Sequence, residues 1–85
     1  MLQKDIELNS SSWNKAQSAA GFIQKACEYK SSIWVEKDSK KANAKSLLGL
    51  LALGITPGCS VRLIAQGEDE EAAIALLSDY MANNA

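Results

Sequence analysis

Hydrophobic and polar positions along the chain switch between two periods, and the switches mark its elements. Leu2, Ile6 and Leu8 alternate with Gln3, Asp5 and Glu7, the two-residue period of a strand with one buried face. Lys4 interrupts the apolar side where a long side chain reaches water. Asn9 to Ser12 is a polar loop. Asn14 and Gln17 have the spacing of a capping box, which starts a helix near Lys15. Ala16, Ala19, Ala20, Ile23, Ala26 and Cys27 then recur at the helical period. This face is narrow enough to lie close on a sheet, although Gly21 costs about 1 kcal/mol of helix propensity relative to alanine. Lys25 and Lys30 suit the C-terminal end of that helix.

Ile33-Trp34-Val35 is a β-rich run, Lys37-Asp38-Ser39-Lys40 a turn, and Lys41 to Ala44 a short returning strand. Polar-apolar alternation ends at Ser46, and Leu47-Leu48-Gly49-Leu50-Leu51-Ala52-Leu53-Gly54 follows. Ser46 reads as a helix N-cap, because its hydroxyl accepts from an otherwise unpaired amide in the first turn. Gly54 stands where the helix stops. On an inner stripe of Leu47, Leu50 and Leu53, the residues Leu48, Leu51 and Ala52 point outward. Leucines gathered on the surface of a small domain mark a docking face.

Thr56-Pro57-Gly58 is a turn signal. Val61, Leu63 and Ala65 alternate with Arg62, Ile64 and Gln66 as a fourth strand, ended by Gly67. Acidic residues from Glu68 to Glu71 suit the N-terminal dipole of a last helix and read as capping. Ala73, Ile74, Leu77, Tyr80 and Met81 form its inner stripe, and Ala82 to Ala85 are expected to fray. The order is βαββαβα. One α+β domain spanning residues 1–85 follows, with helices packed on one face of a sheet.

Charge and composition narrow the function more than the fold. Net charge is -1, so neither nucleic acid nor an acidic membrane surface is an expected partner. No apolar stretch reaches the roughly 18 residues of a membrane span, and no basic-then-apolar leader opens the chain. A cytoplasmic address is expected. Cys27 and Cys59 lack CxxC spacing and are expected to be buried or half-buried free thiols. Histidine is absent, which removes the commonest general base and the commonest metal ligand together. With no zinc spacing and no glycine-rich nucleotide motif, the chain is expected to be no enzyme and to take no cofactor or metal.

The run from Lys40 to Gly54 resembles the regulatory segment of the histidine-containing phosphocarrier (HPr) family of the bacterial sugar phosphotransferase system. There a lysine-serine pair opens a short apolar helix before a Leu-Gly. The similarity continues without a gap through Gly67-Glu68-Asp69-Glu70-Glu71-Ala72 and covers most of the chain. The resemblance implies an open-faced β-sandwich with an antiparallel sheet of order 1-4-2-3. It also places Trp13-Asn14-Lys15-Ala16-Gln17-Ser18 on the family's glycine-x-histidine-alanine-arginine-proline motif. Lys15 stands for the histidine, Gln17 for the arginine and Ser18 for the proline, so these positions are a degenerate active site. A neutral imidazole attacks phosphorus near pH 7, whereas an exposed lysine with a reference pKa of about 10.4 has no free lone pair there. Gln17 cannot replace a bidentate phosphate donor.

Ser46 keeps its surroundings. In the family this serine is the target of a dedicated kinase, and the catabolite-repression variant also lacks the histidine while keeping the serine. Its matching first-helix position is a glutamine, where this chain has Lys15. The resemblance therefore implies a regulatory protein phosphorylated on Ser46. It would bind a transcriptional regulator or a metabolic enzyme through Leu47, Leu48, Leu51 and Lys45, with Lys45, Lys41 and Lys40 partly offsetting the phosphate charge. A transport component that docks on phosphotransferase enzymes without, or with altered, phosphoryl transfer is the second reading.

Overall fold

The computed structural model describes residues 1–7, 16–54 and 59–83, with side chains for all of these except 16–19 and 82–83. Its elements are β1 (Leu2–Glu7), α1 (Ala16–Ala26), β2 (Ser32–Lys37), β3 (Lys40–Asn43), α2 (Leu47–Ala52), β4 (Ser60–Gln66) and α3 (Glu70–Asn83). The strands form one antiparallel sheet in the order β1-β4-β2-β3, the open-faced arrangement expected above. Leu8, the Asn9–Ser12 loop, the Asn14 capping box, Lys15 and the Thr56-Pro57-Gly58 turn lie outside the described residues.

Register decides which side of the sheet is apolar. Ile6 pairs with Val61, while Leu63 pairs with both Lys4 and Val35, and Ala65 with both Leu2 and Ile33. This face meets the helices, and Ile6, Ile33, Val35, Val61, Leu63 and Ala65 are all buried. Lys4 shares the face yet is exposed, as a long side chain on an edge strand allows. The opposite face carries Asp5, Arg62, Glu36 and Lys41 in one cross-strand row. There the Arg62 guanidinium reaches Asp5 at 2.9 Å and Glu36 at 3.7 Å, an exposed cluster that solvent screens. Ile64, expected to face outward with Arg62 and Gln66, is buried. It belongs to an interior strand and sits between Gln3 and Trp34 on its neighbours.

The β2–β3 hairpin closes through Asp38 and Ser39, both at positive φ (51° and 70°), as the right-handed twist of a two-residue connection demands. It sits within the expected turn.

Helix α1 corrects two expectations. Cys27 lies just past its end and is exposed, and Ala20 is exposed too. The inward side is instead led by Phe22, wholly buried with Ala26, while Ile23 packs at the margin. Cys59 is half-buried, and both thiols are free. The inner stripe of α3 is as expected, with Ala73, Ile74, Leu77, Tyr80 and Met81 buried and Ser78 beside them donating to the Ala75 carbonyl at 3.2 Å. The helix continues through Ala82 and Asn83, where fraying was expected. Among the described residues, no helix is long and apolar enough to cross a membrane.

Gly21 explains how the two long helices approach. A Cβ there would collide with the Tyr80 hydroxyl, whose ring packs near Phe22 and lies 5.7 Å below the Lys25 ammonium. The propensity lost at Gly21 is thus the condition of the α1–α3 contact.

Asp69 makes the other long-range tie. Its carboxylate accepts from the Lys30 amide at 2.8 Å, from the Ser31 amide at 3.0 Å and from the Ser31 hydroxyl. Its neighbour Glu70 accepts from the Gly67 amide at 3.0 Å and so caps the start of α3. The acidic cluster is therefore part cap and part tertiary bridge. The Ser31 hydroxyl above all, with the Lys30 amide next, holds the Asp69 carboxyl below its ordinary pKa.

Two predictions follow from these ties. Gly21→Ala should destabilise the chain by about 1–2 kcal/mol despite alanine's better propensity, because the added methyl overpacks a filled contact. Denaturant melts of Gly21→Ala, Tyr80→Phe and the double variant should show positive coupling, with part of the loss recovered once the hydroxyl is gone. For Asp69 the folded pKa is depressed, so its stabilisation is complete above the unfolded value of about 3.9 and is lost as pH falls through the folded value. Asp69→Asn should therefore be less stable at neutral pH and should flatten the decline in stability below about pH 4, measured by denaturant titration at each pH.

Candidate functional site

Helix α2 is short, and its geometry is set at both ends by single residues. Ser46 has an extended backbone (φ -116°, ψ 115°), and its hydroxyl accepts from the Gly49 amide at 3.1 Å. The Ser46 carbonyl then accepts from the Leu50 amide at 3.0 Å, the first helical bond. At the other end Leu53 is the C-cap, and Gly54 at φ 70° turns the chain away. Ser46 is thus the N-cap its sequence position implied.

The faces of α2 differ in one residue from the expected stripe. Leu50 is 1% exposed and Leu53 is half-buried against the core, while Leu47 is 41%, Leu48 79% and Leu51 49% exposed. Leu47 was assigned to the buried stripe and lies on the surface. A helix of six residues has one turn and a half, so a single leucine, Leu50, suffices to fill the space under it. The consequence is a larger outer apolar face, Leu47-Leu48-Leu51, starting directly after Ser46.

Lys45 and Lys41 each have a partner other than Ser46. The Lys45 ammonium donates to the carbonyls of Tyr29 at 2.8 Å and Ser31 at 3.1 Å, in the connection between α1 and β2. The Lys45 amide donates to the Asn43 side-chain oxygen at 2.8 Å, and the Ser46 amide to the Asn43 carbonyl at 3.0 Å. The Lys41 ammonium stands 5.5 Å from the Trp34 ring centroid, on the open face of the sheet. Lys45 is therefore a structural tether between the approach to α2 and the α1–β2 connection.

Of the degenerate active-site positions, Lys15 lies outside the described residues. Gln17 and Ser18 fall in the first turn of α1, with backbone positions only. Among the described residues, no cluster of three or more Cys, Asp or Glu side chains has the geometry of a metal site. Sequence reasoning did not find the Lys45 tether or the Asp69 bridge. Both join residues distant in the chain, and the lone signal was an acid and a lysine in unremarkable surroundings.

A family model described as the phosphotransferase-system HPr component phosphorylation site matches residues 2–83. The chain is 43% identical over 81 residues to the HPr-like protein Crh of Bacillus subtilis, covering 95% of each. It is 34% identical to the phosphocarrier protein HPr of Neisseria meningitidis, covering 95% of this chain and 91% of that one. Among solved structures, HPr-C-His from Thermoanaerobacter tengcongensis superposes with a TM-score of 0.90 at 46% identity, covering 95% of this chain and 91% of that one. The Bacillus subtilis Crh crystal structure, described as a domain-swapped dimer, gives 0.77 at 43% identity, covering 95% and 93%. The extent of these matches, over a sheet of order β1-β4-β2-β3 and a serine-capped second helix, places the chain in the HPr family of phosphocarrier and phosphocarrier-like proteins.

Proposed function

We propose that this chain is a regulatory member of the family, phosphorylated on Ser46 and docking on a transcriptional regulator or metabolic enzyme through Leu47, Leu48 and Leu51. One observation supports the reading above the rest: a half-buried serine hydroxyl at a helix N-cap borders a run of exposed leucines, in a chain with no histidine. A phosphate at that cap adds about -1.5 to -2 charge where the first-turn amides and dipole favour it, so the fold has no reason to change. The charge is felt at the interface. A partner with arginines beside an apolar groove gains charge-assisted hydrogen bonds of about 1.5–3 kcal/mol each. A partner with carboxylates is repelled from the same leucines, so one modification selects between two classes of target.

Phosphoryl transfer of the ordinary kind has no support in the chain. The sequence has no histidine to attack phosphorus near neutral pH, and Gln17 offers no guanidinium fork. The activity is non-enzymatic in this reading, and the address is cytoplasmic, with a serine kinase as the modifying partner. The family resemblance keeps docking on phosphotransferase enzymes as the rival reading.

Incubation with a serine kinase that acts on members of this family, and ATP, should give one phosphate, on Ser46. Ser46→Ala should abolish it and cost about 1 kcal/mol through loss of the cap. With phosphoenolpyruvate and the system's first enzyme, the chain should gain no acid-labile phosphate. Stoichiometric transfer there, with no kinase labelling, would favour the transport reading instead. For the docking face, Leu48→Asp should leave the melt nearly unchanged while weakening partner binding in calorimetric titration. Leu50→Asp should unfold the chain, because a buried unpaired charge costs several kcal/mol.

A further inference from the structure

Lys45 and Ser46 are neighbours in sequence with divergent tasks. Ser46 is extended, so the side chains on either side of that peptide leave in different directions. The serine hydroxyl turns to the α2 amide of Gly49, and the lysine ammonium turns to the Tyr29 and Ser31 carbonyls. Those carbonyls belong to a segment whose amides, at Lys30 and Ser31, are already held by Asp69. Segment 29–31 is thus clamped from both sides, by a carboxylate on its donors and an ammonium on its acceptors. The Lys45 side chain is half-buried in this contact, and releasing it strips two acceptors of their partner.

We infer that the Lys45 ammonium is committed to the 29–31 segment, so a phosphate on Ser46 has no counter-cation from Lys45 and shows its full charge to the partner. The inference builds on Ser46 as the modified residue. Lys41 is occupied over Trp34 on the open face, and Lys40 is exposed on the β3 strand of the hairpin. The design presents the charge outward. A cation folded onto the phosphate would blunt the difference between modified and unmodified protein that a partner must read.

The test uses the full chain with phosphoserine installed at position 46 during synthesis, so that it does not depend on any kinase. Phosphorus NMR at low salt should put the second phosphate pKa near the ordinary value of about 6, and Lys45→Met should change it by less than about 0.3. A larger depression in the lysine-containing chain, relieved in Lys45→Met, would overturn the inference. Amide exchange at Lys30 and Ser31 should be at least about tenfold faster in Lys45→Met than in the parent and should return in Lys45→Arg, which keeps a donor of similar reach. Unchanged exchange in Lys45→Met would remove the tether. A third measurement needs no variant: exchange at these two amides should stay within about twofold when the phosphate is added. A tenfold rise would mean that the phosphate has captured Lys45. If no kinase labels Ser46, the functional proposal fails while these readings still decide where Lys45 sits.

Discussion

The clamp on residues 29–31 is the interaction on which the arrangement of this molecule depends. Asp69 holds the segment from the start of α3, and Lys45 holds it from the approach to α2. Through it the end of α1, the start of β2, the turn before α3 and the N-cap of α2 share one set of hydrogen bonds. Gly67 lets the turn come close, since a Cβ there would meet the Ser31 Cα at 2.7 Å. Each bond is modest by itself, and each has a charged partner, the Asp69 carboxylate or the Lys45 ammonium. Their joint effect is geometric: the Ser46 cap cannot shift without disturbing two other elements.

On that frame the second helix separates stability from recognition. Leu50 alone goes fully into the core, Leu53 packs at its margin, and Leu47, Leu48 and Leu51 are left for the surface. A longer helix would have needed a wider buried stripe to hold it. This one is held by its cap, its one anchor and the tether beside it, which leaves Leu47, Leu48 and Leu51 free of packing duties. The first helix has the opposite balance, with Phe22 and the Gly21–Tyr80 approach giving it a packing role, while the sequence contains no histidine.

Pattern alone carried far where interactions are local. The two-residue period placed β1 and β4, the Asp38–Ser39 turn lay inside the expected hairpin, and the Ser46 cap came from the preference of a hydroxyl for first-turn amides. The α3 stripe was legible because fourteen residues give a helical period room to repeat. The faces of α1 and α2 were less so. Alanine and cysteine carry little information about burial, which let Ala20 and Cys27 pass for core while Phe22 did the packing. In α2 every candidate was leucine or alanine, so composition could not say which one faced inward. Ile64 failed for another reason, since alternation names the sheet face but not the neighbours that cover a central strand.

By itself, then, the sequence determined the order of elements, the serine cap and the absence of a histidine nucleophile, because these rest on residue chemistry and on neighbours a few positions apart. Tertiary structure decided that Leu47 is outside, that Gly21 makes room for Tyr80, that Asp69 bridges as well as lying beside a cap, and that Lys45 is turned away from Ser46. Each of these depends on residues from different elements, brought together by the sheet register and helix packing, which no local pattern encodes.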